Sequence, residues 1–228
     1  MSITEEDRVV LSGHDVEAEL LEDWRLLFAR LHARFDTGDF ATALQIAAEV
    51  GAVAEEMDHH PDIDLSYGRL DVRLSSHDVG GVTQRDVRLA REISRIAGSR
   101  GATPRPRDTA VLELALDTPD AAAIRPFWAA LLGYEGEEED ELADPGGRGP
   151  TIWFQQAAGP TGAATETPSQ TWHLDVRVPP EVAELRIQAV LDAGGTMVSD
   201  GRAPSFWVLA DAQGNRACVT TWVGREPA

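Results

Sequence analysis

Three of the chain's six histidines, His59, His60 and His77, fall within nineteen residues. Imidazole is the side chain that most readily gives and takes protons near neutrality, with an ordinary pKa of about 6.5. A cluster of this kind suits acid–base chemistry on a bound small molecule. Pro61 disfavours the α conformation at His60, so a helix entering the pair must stop there. Residue types alone leave two plainer readings open. An adjacent pair after a helix can simply cap carbonyls, and three histidines can ligate zinc or iron. Neighbouring histidines seldom point the same way, which ranks a metal below proton transfer. Asp86, taken alone, reads as a capping-box residue before a catalytic acid.

The elements that must position these residues show in the apolar periodicity. Leu27, Ala29, Leu31, Ala33 and Phe35 alternate with Arg30, His32 and Arg34, as in a strand with one buried face. Phe40, Leu44, Ala47, Val50, Ala54 and Met57 recur at helical spacing, which predicts a helix over 40–57 ending just before His59. Leu70, Val72 and Leu74 alternate again, ahead of Ser76 and His77. Thr83 opens a second helix, with Asp86 at its third position and Val82 and Val87 placed as a hydrophobic staple. Its buried face carries Val87, Ala90, Ile93 and Ala97. Antiparallel strands with helices on one side is the economical arrangement.

The chain has 228 residues, enough for two small domains, and 43% of them are hydrophobic. Its net charge is −19, and all 20 basic residues are arginines. Eleven Arg face 20 acids in residues 1–100 and nine face 19 in the remainder, so neither half offers the basic stripe that a phosphate backbone requires. Nucleic acid and anionic membrane are therefore not expected partners. The single Cys218 excludes an intrachain disulfide. An acidic N-terminus and the lack of a long apolar run predict a soluble, cytoplasmic protein, and abundant Ala and Arg without Lys fits a high-GC bacterium.

Glu55, His59-His60-Pro61, Tyr67, His77 and Asp86, at their fixed spacing, resemble the signature of the pterin-4a-carbinolamine dehydratases. The likeness covers roughly residues 10–98. It implies a four-stranded antiparallel sheet with helices on one face, and a homo-oligomer. The implied reaction, in tetrahydrobiopterin recycling, dehydrates a 4a-hydroxytetrahydropterin to the quinonoid dihydropterin, downstream of an aromatic amino acid hydroxylase. On that precedent His59 and His77 are the acid–base pair, and His60 mainly binds the reduced pterin. Asp86 orients a histidine as well as capping its helix. Glu55, Asp58, Pro61, Tyr67 and Ser76 would contact the substrate. Ile63 stands where some members carry a Trp, which removes a stacking contact but no proton transfer.

Residues 110–222 repeat a strand–helix–strands unit. Leu112–Leu116 and a helix ending Leu131-Leu132-Gly133 are echoed by Leu174–Val178 and a helix ending Val190–Gly194. The strings Phe127–Tyr134, Trp172–Val176 and Val208–Asn215 resemble the glyoxalase-like, vicinal-oxygen-chelate superfamily of tandem βαβββ modules. Active members hold a divalent metal with His and Glu from both modules. Here His173 matches one ligand position, Val111 stands at its counterpart, and Arg216-Ala217 replace the expected glutamate. No metal or cofactor is therefore expected, and His173 reads as a cavity-lining or structural residue. Trp153, Trp172 and Trp207 read as core before ligand pocket, and the acidic run Glu135–Glu141 as a solvated turn.

The fold class is thus α+β, with a dehydratase-like domain at 1–100, a Pro-rich linker at 101–108 and a glyoxalase-like domain at 109–228. A Gly/Pro/Thr/Ala-rich stretch, Ala157–Ser169, would connect the two modules. Histidine-catalysed pterin dehydration leads. A noncatalytic pterin- or partner-binding regulator and, below it, a metal-dependent glyoxalase-type enzyme are the alternatives.

Overall fold

Alternation of apolar and charged residues builds the first sheet. The computed structural model describes residues 5–136, 138–156, 173–221 and 223–224. The chain divides into two units, Met1–Val111 and Leu112–Ala228. In the first, α1 (Gly13–Ala18) leads to β1 (Trp24–Leu27), β2 (Arg30–Asp36), α2 (Phe40–Met57), β3 (Asp62–Ser66), β4 (Arg69–Leu74), α3 (Gln84–Ser99) and β5 (Thr103–Pro104). The strand order is β1-β2-β4-β3, all antiparallel, and β5 adds to β2 at Phe35 and Asp36.

The sheet departs from expectation in two places. It has five strands instead of four, because part of the segment expected to be a linker pairs with β2; Arg34 Nη1 also donates to the Asp108 carbonyl. The single strand expected over Leu27–Phe35 is a hairpin, with Leu27 opposite Arg30. The two-residue turn reverses the phase of the alternation, so that Trp24 and Leu26, not Leu27, share the core face with Ala33 and Leu31. Phe28 enters the left-handed region (φ 53°) where glycine or asparagine is usual, so nothing in the sequence marks the bend.

One face of this sheet carries Leu31, Ala33, Phe35, Leu70, Val72 and Leu74. It packs against Ile46 and Val50 of α2 and Leu89, Ala90, Ile93 and Ile96 of α3, all buried. Each such large side chain contributes roughly 1.5–3 kcal/mol by leaving water. The other face is paved with ion pairs, Arg34–Asp71 at 2.5 Å and Arg73–Asp64 at 2.6 Å. His32 lies there in register with Arg25 and Arg73. Burial, reinforced by Arg73 and Arg30, lowers its pKa to about 4.

The second unit holds β6 (Glu113–Thr118), α4 (Ala121–Leu132), β7 (Glu141–Leu142) and β8 (Thr151–Gln156). There follow β9 (Leu174–Arg177), α5 (Pro180–Asp192), β10 (Thr196–Arg202), β11 (Phe206–Ala210) and β12 (Arg216–Thr220). Two sheets result, β6-β8-β7 and β10-β11-β12-β9. Each module pairs its first strand in parallel with its last, β6 with β8 and β9 with β12. The second module is a full βαβββ unit. In the first, the strand after the helix is reduced to one bridge, Glu135 to Ala143. Phe127, Trp128 and Leu131 of α4, Ile187 and Val190 of α5, and Ile152, Phe154, Leu209 and Val219 form the core. Trp207 packs against it. Trp172 and the Ala157–Ser169 stretch lie outside the described residues.

Among the described residues no helix is long and apolar enough to cross a membrane.

Candidate active site

Helix α2 ends in a Schellman turn. Asp58 adopts the left-handed conformation (φ 49°), its N–H bonds to the Glu55 carbonyl, and the His59 N–H reaches back to Ala54. This reversal turns His59 inward, where only 7% of it is exposed, and leaves the His60 side chain outside.

Helix α3 supplies the partner. Thr83 is its N-cap, and Asp86 completes the capping box by accepting the Thr83 N–H on Oδ2 at 2.7 Å. The same Oδ2 accepts the Ser76 hydroxyl at 2.7 Å, while Oδ1 lies 2.7 Å from His59 Nε2. A carboxylate only accepts, so His59 presents Nε2–H to Asp86 and leaves Nδ1 as its free ring nitrogen. Asp86 and Thr83 are fully buried, and Ser76 nearly so. Capping and histidine-holding are thus done by one residue through its two oxygens.

This network gathers the predicted residues by their neighbours in sequence. His59 and Ser76 are tied to Asp86 directly, and His60 and His77 follow them by one residue, both exposed. Glu55, one turn back on α2, meets His60 Nε2 at 3.1 Å. Pro61 is partly buried between the histidine pair and β3, where Ile63 packs on the core. Asp58 serves the chain reversal. Tyr67 is not brought to the cluster. It sits 82% exposed in the β3–β4 turn, at the opposite end of β3 from His59.

Two supports escaped the sequence reading. The Thr83 hydroxyl lies 2.9 Å from Ser76 Oγ, inside the network. Arg85, itself buried, donates to Asp78 at 2.6 Å and so clamps the loop that carries His77. The Arg85 guanidinium holds the Asp78 carboxyl below its usual range. An ion pair spanning seven residues across a loop has no periodic signature.

In the second unit, His173 Nε2 lies 3.2 Å from Asp175 Oδ1. Cys218 is directly opposite Asp175 in the β9–β12 ladder, and one potential ligand atom from each of the three lies within 4.8 Å of the others. Burial first, then the Asp175 carboxylate, push the Cys218 thiol up to about 11, so the thiol is a poor nucleophile as it stands. Val111 offers no ligand atom, and neither Arg216 nor Ala217, standing where the glutamate was expected, supplies a carboxylate, so a set split across the two modules does not fit. Asp175, two residues after His173 on the same strand face, was the missed signal. The acidic run curls around Arg125, whose Nη2 donates to the carbonyls of Gly136, Glu138 and Glu141.

Comparison with known proteins agrees with this division. Residues 9–96 match the family model for pterin 4 alpha carbinolamine dehydratase, and residues 113–220 match that for a glyoxalase-like domain. A Thermosynechococcus vestitus protein named for pterin-4-alpha-carbinolamine dehydratase is 40% identical over 89 residues, covering 38% of this chain and 94% of the relative. A Brucella melitensis structure described as a transcriptional coactivator/pterin dehydratase is 33% identical (TM-score 0.38), over 40% of this chain and all of that one. A glyoxalase/bleomycin resistance protein/dioxygenase family enzyme of Burkholderia phytofirmans is 19% identical (TM-score 0.37), over 48% of this chain and 95% of its own. With nearly the whole of a 40%-identical relative contained in its N-terminal unit, the chain belongs to the pterin-4-alpha-carbinolamine dehydratase family.

Proposed function

We propose that the N-terminal unit dehydrates a 4a-hydroxytetrahydropterin to the quinonoid dihydropterin. The observation that carries this reading is the buried His59–Asp86 pair, with His60 and His77 exposed beside it. Breaking the C4a–O bond requires a proton on the departing oxygen, and closing the imine requires removal of the N5 proton. Water departs with the hydroxyl hydrogen and the proton given by the acid, and the N5 proton taken by the base then passes through solvent to balance the acid's reprotonation. A histidine held by a carboxylate in one tautomer is oriented for one half of this exchange, and His77 on the clamped loop serves the other. His60, steadied by Glu55, binds the ring. In this reading an aromatic amino acid hydroxylase supplies the substrate and the protein acts as a homo-oligomer.

Stopped-flow decay of chemically generated 4a-hydroxytetrahydropterin tests the assignment. The protein should accelerate the decay over buffer, and His77→Ala should lose about 10²-fold or more of that acceleration. Equal rates for protein, variant and buffer would overturn the reading, and so would tight pterin binding without turnover.

A further inference from the structure

His77 is exposed, and among the described residues no hydrogen bond or ion pair holds its ring, so the backbone of its loop sets where it points. That backbone is a turn, with the Val79 N–H on the Ser76 carbonyl at 3.2 Å. A bridge between Ser76 and Gly81, at 2.8 and 3.4 Å, closes it. Ser76 is anchored through its hydroxyl to Asp86, whereas Gly81 has no side chain to anchor. The N-terminal segment covers it instead. The Leu11 N–H donates to the Val82 carbonyl at 2.8 Å, and a Cβ on Gly81 would lie 2.6 Å from one Val10 methyl. The half-exposed Val10 thus seats on the bare backbone of Gly81. Both ends of this segment are tied to α3. Buried Asp7 pairs with Arg88 before the contact. After it, Glu19 at the end of α1 accepts from Gln84 Nε2 and, at 2.7 Å, from Arg91 Nη2.

We propose that Val10 is a positioning residue for His77, acting through Gly81, with the Asp7–Arg88 and Glu19–Arg91 pairs anchoring the segment that carries it. Three features make the segment stiff enough for this. Val10 is β-branched and keeps few rotamers, so it transmits a push rather than yielding to it. Lifting Asp7 away from Arg88 would leave a buried carboxylate unpaired, which holds the outer end down. The Ser12 capping box fixes the chain immediately after Leu11, so little slack remains between the two anchors. Val10 does not touch the reacting atoms in this account. It keeps the Gly81 side of the bridge in place, and the bridge keeps Ser76 and the following His77 in place. Proton transfer requires the ring nitrogen within hydrogen-bond reach of the substrate, and a misplacement of about 1 Å can cost about 10²-fold in rate. The consequence for rate rests on the dehydratase reading, whereas the consequence for the position of the ring does not.

A size swap across this contact, made in the full-length protein, tests the proposal. Gly81 lies outside the left-handed region, and the three atoms nearest to an added Cβ all belong to Val10. Gly81→Ala should therefore shift the His77 ring resonance in NMR spectra and lower kcat about tenfold, with KM little changed. Gly81→Ala/Val10→Ala removes the two methyls at 2.6 and 3.3 Å and leaves a Cβ at 3.6 Å, an ordinary contact. Ring signal and kcat should both return toward the parent's. A contact that serves stability alone would move the melting temperature and leave kcat and the ring signal of the folded protein unchanged. If Gly81→Ala does not fold, Asp7→Asn, which weakens the outer anchor, should shift the ring signal and lower kcat to a smaller extent. A His77 signal unmoved in the variants that fold overturns the proposal. So does a double variant no closer to the parent than Gly81→Ala, or, with an active parent, a kcat unchanged by these substitutions. If the parent itself does not turn over the pterin, the dehydratase reading falls, and the ring signal still decides whether Val10 positions His77.

Discussion

His59 and His60 are adjacent and chemically identical, yet the fold assigns them opposite surroundings. His59 and Asp86 are buried and joined, so removing one strands the other. Leaving a buried charged partner uncompensated costs about 3–5 kcal/mol, and a lost helix cap adds about 1. His60 and His77 are exposed, and truncating an exposed side chain changes stability by about 0.5 kcal/mol or less. His60→Ala and His77→Ala should therefore melt like the parent while losing turnover. Asp86→Ala should lose both, because its oxygens anchor His59, Ser76 and the start of α3. Parallel melting and turnover assays decide it. If His77→Ala unfolds the protein, the histidine is structural and the division fails.

At the scale of elements, the turn after α2 determines which histidine is buried. Asp58 occupies a left-handed conformation that costs an ordinary side chain about 1–2 kcal/mol. Asp58→Gly should hold stability or raise it by up to about 1 kcal/mol, and Asp58→Val should lower it by about 1–2. If Asp58 only reverses the chain, Asp58→Gly leaves KM for the pterin unchanged; a raised KM would return it to ligand contact. The same turn shows what the sequence could reveal. Helix α2 was legible to the residue, and α3 nearly so, because an Asp or Thr cap precedes an uninterrupted apolar stripe. The β1–β2 bend was not, since Phe28-Ala29 carries no turn residue. Strand β3 was not read from the residues either, because only Ile63 and Leu65 show its inward face. The identity and spacing of the histidines suggest acid–base chemistry, but the directions of His59 and His60 depend on one backbone conformation at Asp58. The Asp175–Cys218 juxtaposition depends on a parallel register between distant strands, which no local pattern encodes.

At the scale of the whole chain, the two hydrophobic cores share no residue. Each unit should therefore unfold as its own cooperative step, with dehydratase activity disappearing in the step of the first. Phe35→Ala should weaken that step by about 3–5 kcal/mol, and Phe127→Ala should weaken only the other. Acid distinguishes the steps further. His32 has a folded pKa lowered to about 4 from an ordinary 6.5. Between those values the unfolded chain takes up a proton that the folded one refuses, so the first unit loses stability as pH falls from 6.5 to 4 and the loss levels off below. Among the described residues of the second unit, the Asp144 carboxylate is held low by the N–H groups of Gly149, Arg148 and Gly146, and that support is lost only below its ordinary pKa of about 3.8. Melting curves from pH 7 to 4 should thus show the first step moving more than the second, with the difference reduced in His32→Gln and preserved in Phe127→Ala. A single transition, or a first step whose acid response is the same in His32→Gln, would contradict this account of how burial and charge are divided between the units.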